Sequence, residues 1–228
     1  MAKKKIQEDK FEQLEDALTR SEQFIQKNQK ILINSLVAVL VVVLAFFAYN
    51  KYVSEPNARE AETQIFTAQY YFEKDSLSLA LNGDGNAPGF LEIIDNYGST
   101  PAGNLAKYYA GLCYLYMGEC DEAIGYLETF SSDDYFVNNM AKANVGDAYM
   151  QKGDYASAAD KYKDAASSKK NDFSTPIFLM KSGLAYEKAG NFQSALKTYE
   201  EIKSNYPNSQ EGRDIDKYIV RAQLSLNK

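Results

Sequence analysis

The chain has 228 residues, of which 45% are hydrophobic and 25% are charged, and its formal net charge is −6. This length suits one folded domain with an appended segment. Histidine and tryptophan are absent, so the chain has no Ser-His-Asp or Cys-His arrangement and no histidine metal ligand. Residues 31–228 contain eighteen Lys/Arg and twenty-five Asp/Glu, an acidic balance that disfavours nucleic acid as a partner. We therefore expect a protein that is not an enzyme and has neither metal nor cofactor.

Residues 1–30 predict an amphipathic leader helix. Phe11, Leu14, Leu18 and Ile25 recur at helical spacing among Glu, Gln and Lys residues, which places the apolar side chains on one face. Such a helix either docks on a membrane partner or lies on the inner lipid surface, and the pattern does not separate these alternatives.

Residues 31–50 predict a single transmembrane helix. Every residue from Leu36 to Ala48 is apolar, and with residues 31–33 the segment spans about 28 Å of helix, which matches a bilayer core. The long leader with six acidic residues favours a signal anchor over a cleaved signal peptide. A small excess of Lys/Arg before the span predicts a cytoplasmic N-terminus and an external location for residues 51–228, which in the inner membrane of a Gram-negative bacterium means the periplasm. The reverse topology is the alternative.

Residues 51–103 predict a linker and a degenerate first hairpin. A capping box at residues 57–60 predicts a helix start, and a second helix is expected near Gly89. Residues 90–97 align with residues 199–206, so that Gly98-Ser99-Thr100 replaces Pro207-Asn208-Ser209. The loop at residues 82–86 alternates oxygen-bearing side chains, but Ala87 and Ile93 occupy the positions where a calcium loop needs glycine and glutamate. This mismatch favours a glycine-rich turn.

Residues 104–209 contain three copies of one pattern, with spacings of 35 and 37 residues. Each copy has a turn glycine, which is Gly118, Gly153 or Gly190, followed five residues later by alanine. When this glycine is placed at position fifteen of a 34-residue unit, position eight is also glycine in every copy: Gly111, Gly146 and Gly183. Agreement at several fixed offsets predicts stacked helical hairpins, since a fixed period is typical of repeat architectures.

At these positions the chain resembles the tetratricopeptide repeat family. The resemblance implies an all-α fold: an N-terminal amphipathic helix, a single transmembrane helix, then a tetratricopeptide-like α-solenoid with a C-terminal capping helix. The capping helix is expected within residues 210–228, where Ile215, Ile219 and Ala222 share one face. It could extend the stack or fold into the groove.

The resemblance also implies a partner-binding groove along the first helix of each unit. The residues at the corresponding positions are mostly apolar, which suits an apolar or amphipathic segment. They are Leu105, Tyr108, Leu112, Tyr116, Met140, Asn144, Asp147, Met150, Ile177, Met180, Lys181 and Leu184. Only Asn144 and Lys181 occupy places used by the carboxylate clamp of chaperone-binding members, so that clamp is incomplete.

Cys113 and Cys120 lie on opposite arms of one predicted hairpin. In an oxidising compartment they could form a disulfide, whereas Cys120 could instead pack as a small hydrophobic residue. The sequence does not decide between these alternatives, because a disulfide requires a particular Cα separation.

The whole layout resembles the YfgM-like membrane-anchored tetratricopeptide proteins of bacteria. This resemblance implies a non-enzymatic adaptor beside the Sec translocon, with translocon subunits, periplasmic chaperones or exported polypeptides as partners and membrane lipid around its helix. The alternative is a scaffold for the cell-wall or outer-membrane assembly machinery.

Overall fold

The computed structural model describes residues 27–227, and the chain divides into two units, residues 1–56 and 57–228. The described residues form helices and no strand. The all-α fold class expected from the sequence is therefore confirmed.

The described part of the first unit is entirely helical. Helix α1 covers residues 27–49, and a π-helical turn follows at Asn50–Ser54. The large apolar side chains between Ile31 and Tyr49 are all exposed. By length and composition this helix can cross a membrane. The predicted amphipathic leader lies mostly on residues 1–26, outside the described residues.

The predicted helix start at residues 57–60 is wrong. Helical backbone runs from Lys27 to Glu73, so Asn57 lies inside a helix instead of capping one. Pro56 explains the π-helical turn just before it. Proline has no N–H, and its ring collides with the carbonyl four residues earlier. The preceding turn widens accordingly, and the N–H of Glu55 bonds to the carbonyl of Asn50.

The remaining helices form hairpins that stack along the chain. Their bounds are α2 Glu55–Glu73, α3 Leu77–Asn82, α4 Phe90–Tyr97, α5 Pro101–Met117, α6 Cys120–Thr129, α7 Tyr135–Lys152, α8 Tyr155–Ser167, α9 Ser174–Lys188, α10 Phe192–Asn205, α11 Gln210–Arg213 and α12 Ile215–Leu226. The buried side chains fall into three successive clusters, around α2–α5, α5–α7 and α7–α12. Each hairpin therefore buries its apolar face against its neighbours, as in a solenoid.

The three turn glycines reverse the chain as their spacing predicts. Gly118, Gly153 and Gly190 have φ angles of 82°, 80° and 75°. Only glycine adopts this left-handed conformation without strain. After Gly118 and Gly153 the chain enters α6 and α8, with Asp154 capping the N-terminus of α8 by accepting a hydrogen bond from the Ser157 N–H at 3.1 Å.

The glycines at position eight allow the two helices of each hairpin to approach closely. A Cβ on Gly111 would lie 2.6 Å from Leu127 Cγ, and one on Gly146 would lie 2.7 Å from Tyr162 Cε1. Gly183 faces the Tyr199 ring in the same way. The close approach inferred from the register is therefore present in all three units.

The C-terminal segment extends the stack and does not fold into the groove. It forms two helices, because the backbone departs from helical geometry at Asp214. Helix α12 packs on α10 through Ile215, Ile219 and Ala222, and the rings of Tyr218 and Tyr199 lie 5.5 Å apart. This helix covers the buried face of the last unit.

Candidate protein-binding groove

The twelve predicted groove residues lie on α5, α7 and α9, the first helices of the three units. Ten of them are half-buried, Leu112 is buried, and Tyr116 is 62% exposed. Helices α5 and α7 contact each other, as do α7 and α9. The first helices thus form one surface. We call it the groove.

Polar side chains join the units at the centre of the groove. Asn144 on α7 donates a hydrogen bond to the Tyr108 hydroxyl on α5 at 3.2 Å. Lys181 on α9 contacts both carboxylate oxygens of Asp147 on α7, at 2.9 and 3.0 Å, and the Tyr162 hydroxyl donates to the same carboxylate. The groove therefore has a hydrogen-bonded centre between apolar ends.

This pairing explains why the groove does not form a carboxylate clamp. The ammonium of Lys181 is neutralised by Asp147, and it also lies 5.3 Å from the centre of the Tyr162 ring. Burial and the hydrogen bond to Asp147 raise the pKa of Tyr162, so this hydroxyl stays protonated as a donor at neutral pH. A ligand carboxylate would have to compete with Asp147 for both donors.

Helix α2 extends the groove beyond the predicted residues. Its side chains Phe66 and Tyr70, one helical turn apart, are 66% and 55% exposed. A cavity of about 440 Å³ between α2 and α5 is lined by Ile65, Phe66 and Leu105, among others. The i, i+4 spacing of these two aromatic residues in the sequence indicates that they share one face of the helix. The groove positions were not assigned in α2, because this hairpin departs from the repeat register.

Aromatic contacts fix the side chains at the same end of the groove. The Phe72 ring on α2 lies 6.1 Å from Tyr116 and 5.2 Å from Tyr109, both on α5. The Gln64 side chain donates to the Tyr97 hydroxyl at 3.4 Å. The Phe72 contacts join the degenerate hairpin to the first complete unit, so the groove continues from α2 into α5.

The structure has no disulfide between the two cysteines. Cys113 is buried among the side chains of α2–α5, where burial raises the pKa of its thiol to about 12. The Cys120 thiol donates to the Gly118 carbonyl at 3.4 Å and approaches the Gln151 side-chain oxygen at 3.6 Å. The two thiols therefore face different surroundings, and Cys120 packs beside the second hydrophobic cluster.

The loop at residues 82–86 is a hydrogen-bonded turn. The Asp84 carboxylate accepts from the N–H groups of Asn86 and Ala87, each at 2.8 Å, and from the Tyr71 hydroxyl at 2.7 Å. The hydrogen bond from Tyr71, followed by those from the two N–H groups, lowers the pKa of Asp84 to about 2. Both oxygens are thus used within the protein, as an Asx turn predicts.

Comparisons with known proteins support the repeat interpretation. Residues 110–173 match one family model described as tetratricopeptide repeat, and residues 178–209 match another. The fold is similar to the crystal structure of nearly identical TPR-like repeats from a Podosopora anserina protein described as a kinesin light chain, with a TM-score of 0.55 and 14% identity over 75% of this chain and 88% of that chain. A search of curated proteins found no match.

Two segments of the chain are therefore tetratricopeptide repeats. Repeats of this kind form surfaces that bind other proteins, and proteins built from them are typically non-enzymatic scaffolds. Protein–protein interaction is the class of function that these repeats define.

Proposed function

We propose that the protein is a single-pass adaptor of the bacterial inner membrane that receives or passes on exported polypeptides. In this proposal residues 31–50 span the membrane, the N-terminus is cytoplasmic, and the repeats lie in the periplasm beside the Sec translocon and periplasmic chaperones. The exposed apolar side chains of α1 support the membrane location, because water would make their exposure unfavourable.

The groove is the single observation that carries the adaptor function. Phe66 and Tyr116 are exposed at the end formed by α2 and α5, whereas the polar groups at the centre of the groove bond to one another. An apolar or amphipathic segment fits such a surface, because its binding does not require an unpaired lysine side chain in the groove. A surface of this kind suits segments of proteins that have not yet folded.

The partner experiment is affinity purification of the full chain from mild detergent, followed by mass spectrometry. We expect translocon subunits or periplasmic chaperones with the unmodified chain. The double variant Phe66→Glu, Tyr116→Glu should recover at least fivefold less partner protein, because each substitution replaces an exposed aromatic side chain of the groove with a charge. Phe173→Glu is the matched control, since Phe173 is 71% exposed and is not one of the groove residues.

The result also distinguishes the two functions. Cell-wall or outer-membrane assembly enzymes in place of translocon subunits would favour the scaffold alternative and contradict the adaptor. Equal recovery by the groove variant and the unmodified chain would place the contact outside the groove.

For the topology, alkaline phosphatase fused after Lys228 should be active, and an inactive fusion at normal expression would contradict the periplasmic placement.

A further inference from the structure

The second helix of the first complete unit lacks charge at two positions, twenty-two and twenty-six, that are charged in its counterparts. Position twenty-two is Gly125 in α6, but Asp160 in α8 and Lys197 in α10, and all three are exposed. Position twenty-six is Thr129 in α6, Asp164 in α8 and Glu201 in α10. Position twenty-three is Tyr126 in α6, Lys161 in α8 and the buried Thr198 in α10. The charged face of α8 is thus replaced in α6 by a glycine, an aromatic ring and a threonine.

These replacements open an apolar cavity between α4, α5 and α6. It has a volume of about 450 Å³ and is lined by Ile94, Lys107, Glu122, Gly125, Tyr126 and Thr129. A Cβ on Gly125 would meet no atom within 4 Å. The packing therefore does not require glycine here, although glycine weakens a helix relative to alanine. Because glycine has no side chain, Gly125 leaves space open in the cavity that it lines.

The segment of the chain that contains the cavity is acidic in sequence. Residues 57–131 contain three Lys/Arg and eleven Asp/Glu, whereas residues 132–228 contain fourteen and thirteen. Glu122 lines the cavity, and Asp95, next to the lining residue Ile94, is exposed on α4. The lining itself holds one acidic residue, Glu122, and one basic residue, Lys107. The surroundings would therefore attract a positively charged segment.

We propose that this cavity is a second protein-binding site, which takes one apolar side chain of a basic polypeptide segment. Its lining comes from the second helices α4 and α6 together with Lys107, and includes none of the groove residues. It could therefore be occupied while the groove holds another segment. Two sites on one chain would allow a client and a second protein to be held together, with the gain in effective concentration that this brings.

The test uses the full chain in a nonionic detergent and a fluorescein-labelled peptide with two leucines flanked by two lysines on each side. Binding is followed by fluorescence anisotropy, with detergent alone subtracted. We expect the Gly125→Leu variant to bind at least tenfold more weakly, because the new side chain fills the cavity. Lys197→Leu, which places leucine at the same exposed position of the last unit, should bind like the unmodified chain.

Two further measurements test whether the site prefers a basic peptide and whether the peptide binds outside the groove. Glu122→Lys should weaken binding of the basic peptide, and a peptide with glutamates in place of lysines should bind at least tenfold more weakly to the unmodified chain. Tyr116→Glu in the groove should leave the affinity unchanged. Circular dichroism and thermal unfolding of each variant confirm that it is folded, which we expect for Gly125→Leu because its Cβ meets open space.

Several outcomes would overturn the proposal. They are full binding by Gly125→Leu, equal weakening by Lys197→Leu, or equal binding of the acidic and basic peptides. Weakening by Tyr116→Glu would place the peptide in the groove. Self-association of the unmodified chain that Gly125→Leu abolishes would make a second copy the occupant. None of these outcomes alters the partner experiment on Phe66 and Tyr116, so the second site and the proposed function can fail independently.

Discussion

Gly146 and Gly125 are both helical glycines, but their surroundings are opposite. A Cβ on Gly146 would lie 2.7 Å from the Tyr162 ring, which is buried, whereas a Cβ on Gly125 would meet nothing within 4 Å. The same substitution therefore tests packing at one position and helix propensity at the other.

Gly146→Ala should lower the free energy of unfolding by about 1–3 kcal/mol, because the ring must shift in a packed core. Gly125→Ala should raise it by up to about 1 kcal/mol, since alanine favours the helix and no clash opposes it. Urea unfolding followed by helical circular dichroism measures both. Equal effects of the two substitutions would show that hairpin packing does not depend on the glycine at position eight.

Asp147 illustrates what residue patterns leave open. The repeat register assigns Asn144, Asp147 and Lys181 to the groove face of their helices, and in the structure these side chains are half-buried. Their pairing was not predictable, because the Lys181–Asp147 contact joins residues 34 apart in the chain. Which polar groups meet depends on how adjacent units stack, and the sequence of a single unit does not specify the distance between its side chains and those of the next unit.

At the scale of the element, the junction before α5 repeats the junction before α11. The Thr100 hydroxyl donates to the Tyr97 carbonyl at 2.7 Å and accepts from the Gly103 N–H at 3.0 Å. The Ser209 hydroxyl makes the same two bonds, to Tyr206 and Gly212, each at 2.9 Å. The alignment of the degenerate hairpin with the last unit therefore corresponds to a common cap geometry.

Thr100→Ala should lower the free energy of unfolding by about 1–2 kcal/mol, because the first turn of α5 loses its cap in a buried setting. Ser99→Ala, at the exposed neighbouring position, should change it by less than about 0.5 kcal/mol. Thermal or urea unfolding of both variants provides the comparison. A loss for Ser99→Ala as large as that for Thr100→Ala would contradict the cap as the cause.

Helix boundaries were predicted less well than helix packing. The capping-box pattern at residues 57–60 is local, and it was overridden because a helix already extends through this segment. A proline inside a long helix can end it or widen one turn. The sequence around Pro56 does not distinguish these outcomes, since both avoid the clash of the proline ring with the preceding turn and both accommodate its missing N–H.

For the whole molecule, the fixed period was the most informative part of the sequence. It predicted the turn glycines, the close approach at position eight and the first-helix positions of the groove, because each follows from the repeat unit. The contribution of α2 to the groove, the polar centre and the cavity beside Gly125 follow instead from departures from the period. Such departures become interpretable only when neighbouring units are stacked in space.

The stack should lose stability in alkaline solution. Burial raises the pKa of Tyr162, Tyr186 and Tyr199, in the case of Tyr186 to about 12, with a further contribution from its hydrogen bond to Asp160. In the unfolded chain these hydroxyls titrate near 10. Their contribution to stability is therefore complete below pH 10 and is lost as the pH rises through 12. Lys161 acts in the same direction, because its hydrogen bond to Glu128 raises its pKa in the folded state.

Thermal unfolding of the full chain in nonionic detergent between pH 8 and pH 12 tests this prediction. We expect the midpoint to be nearly constant up to pH 10 and to fall steeply above it. Tyr186→Phe should be less stable at pH 8, because Asp160 loses a 2.8 Å hydrogen bond, but should fall less steeply above pH 10, because one ionising group is gone. Tyr116→Phe, which removes an exposed hydroxyl, is the control. A Tyr186→Phe profile parallel to that of the unmodified chain would show that ionisation of this buried tyrosine does not drive the alkaline loss.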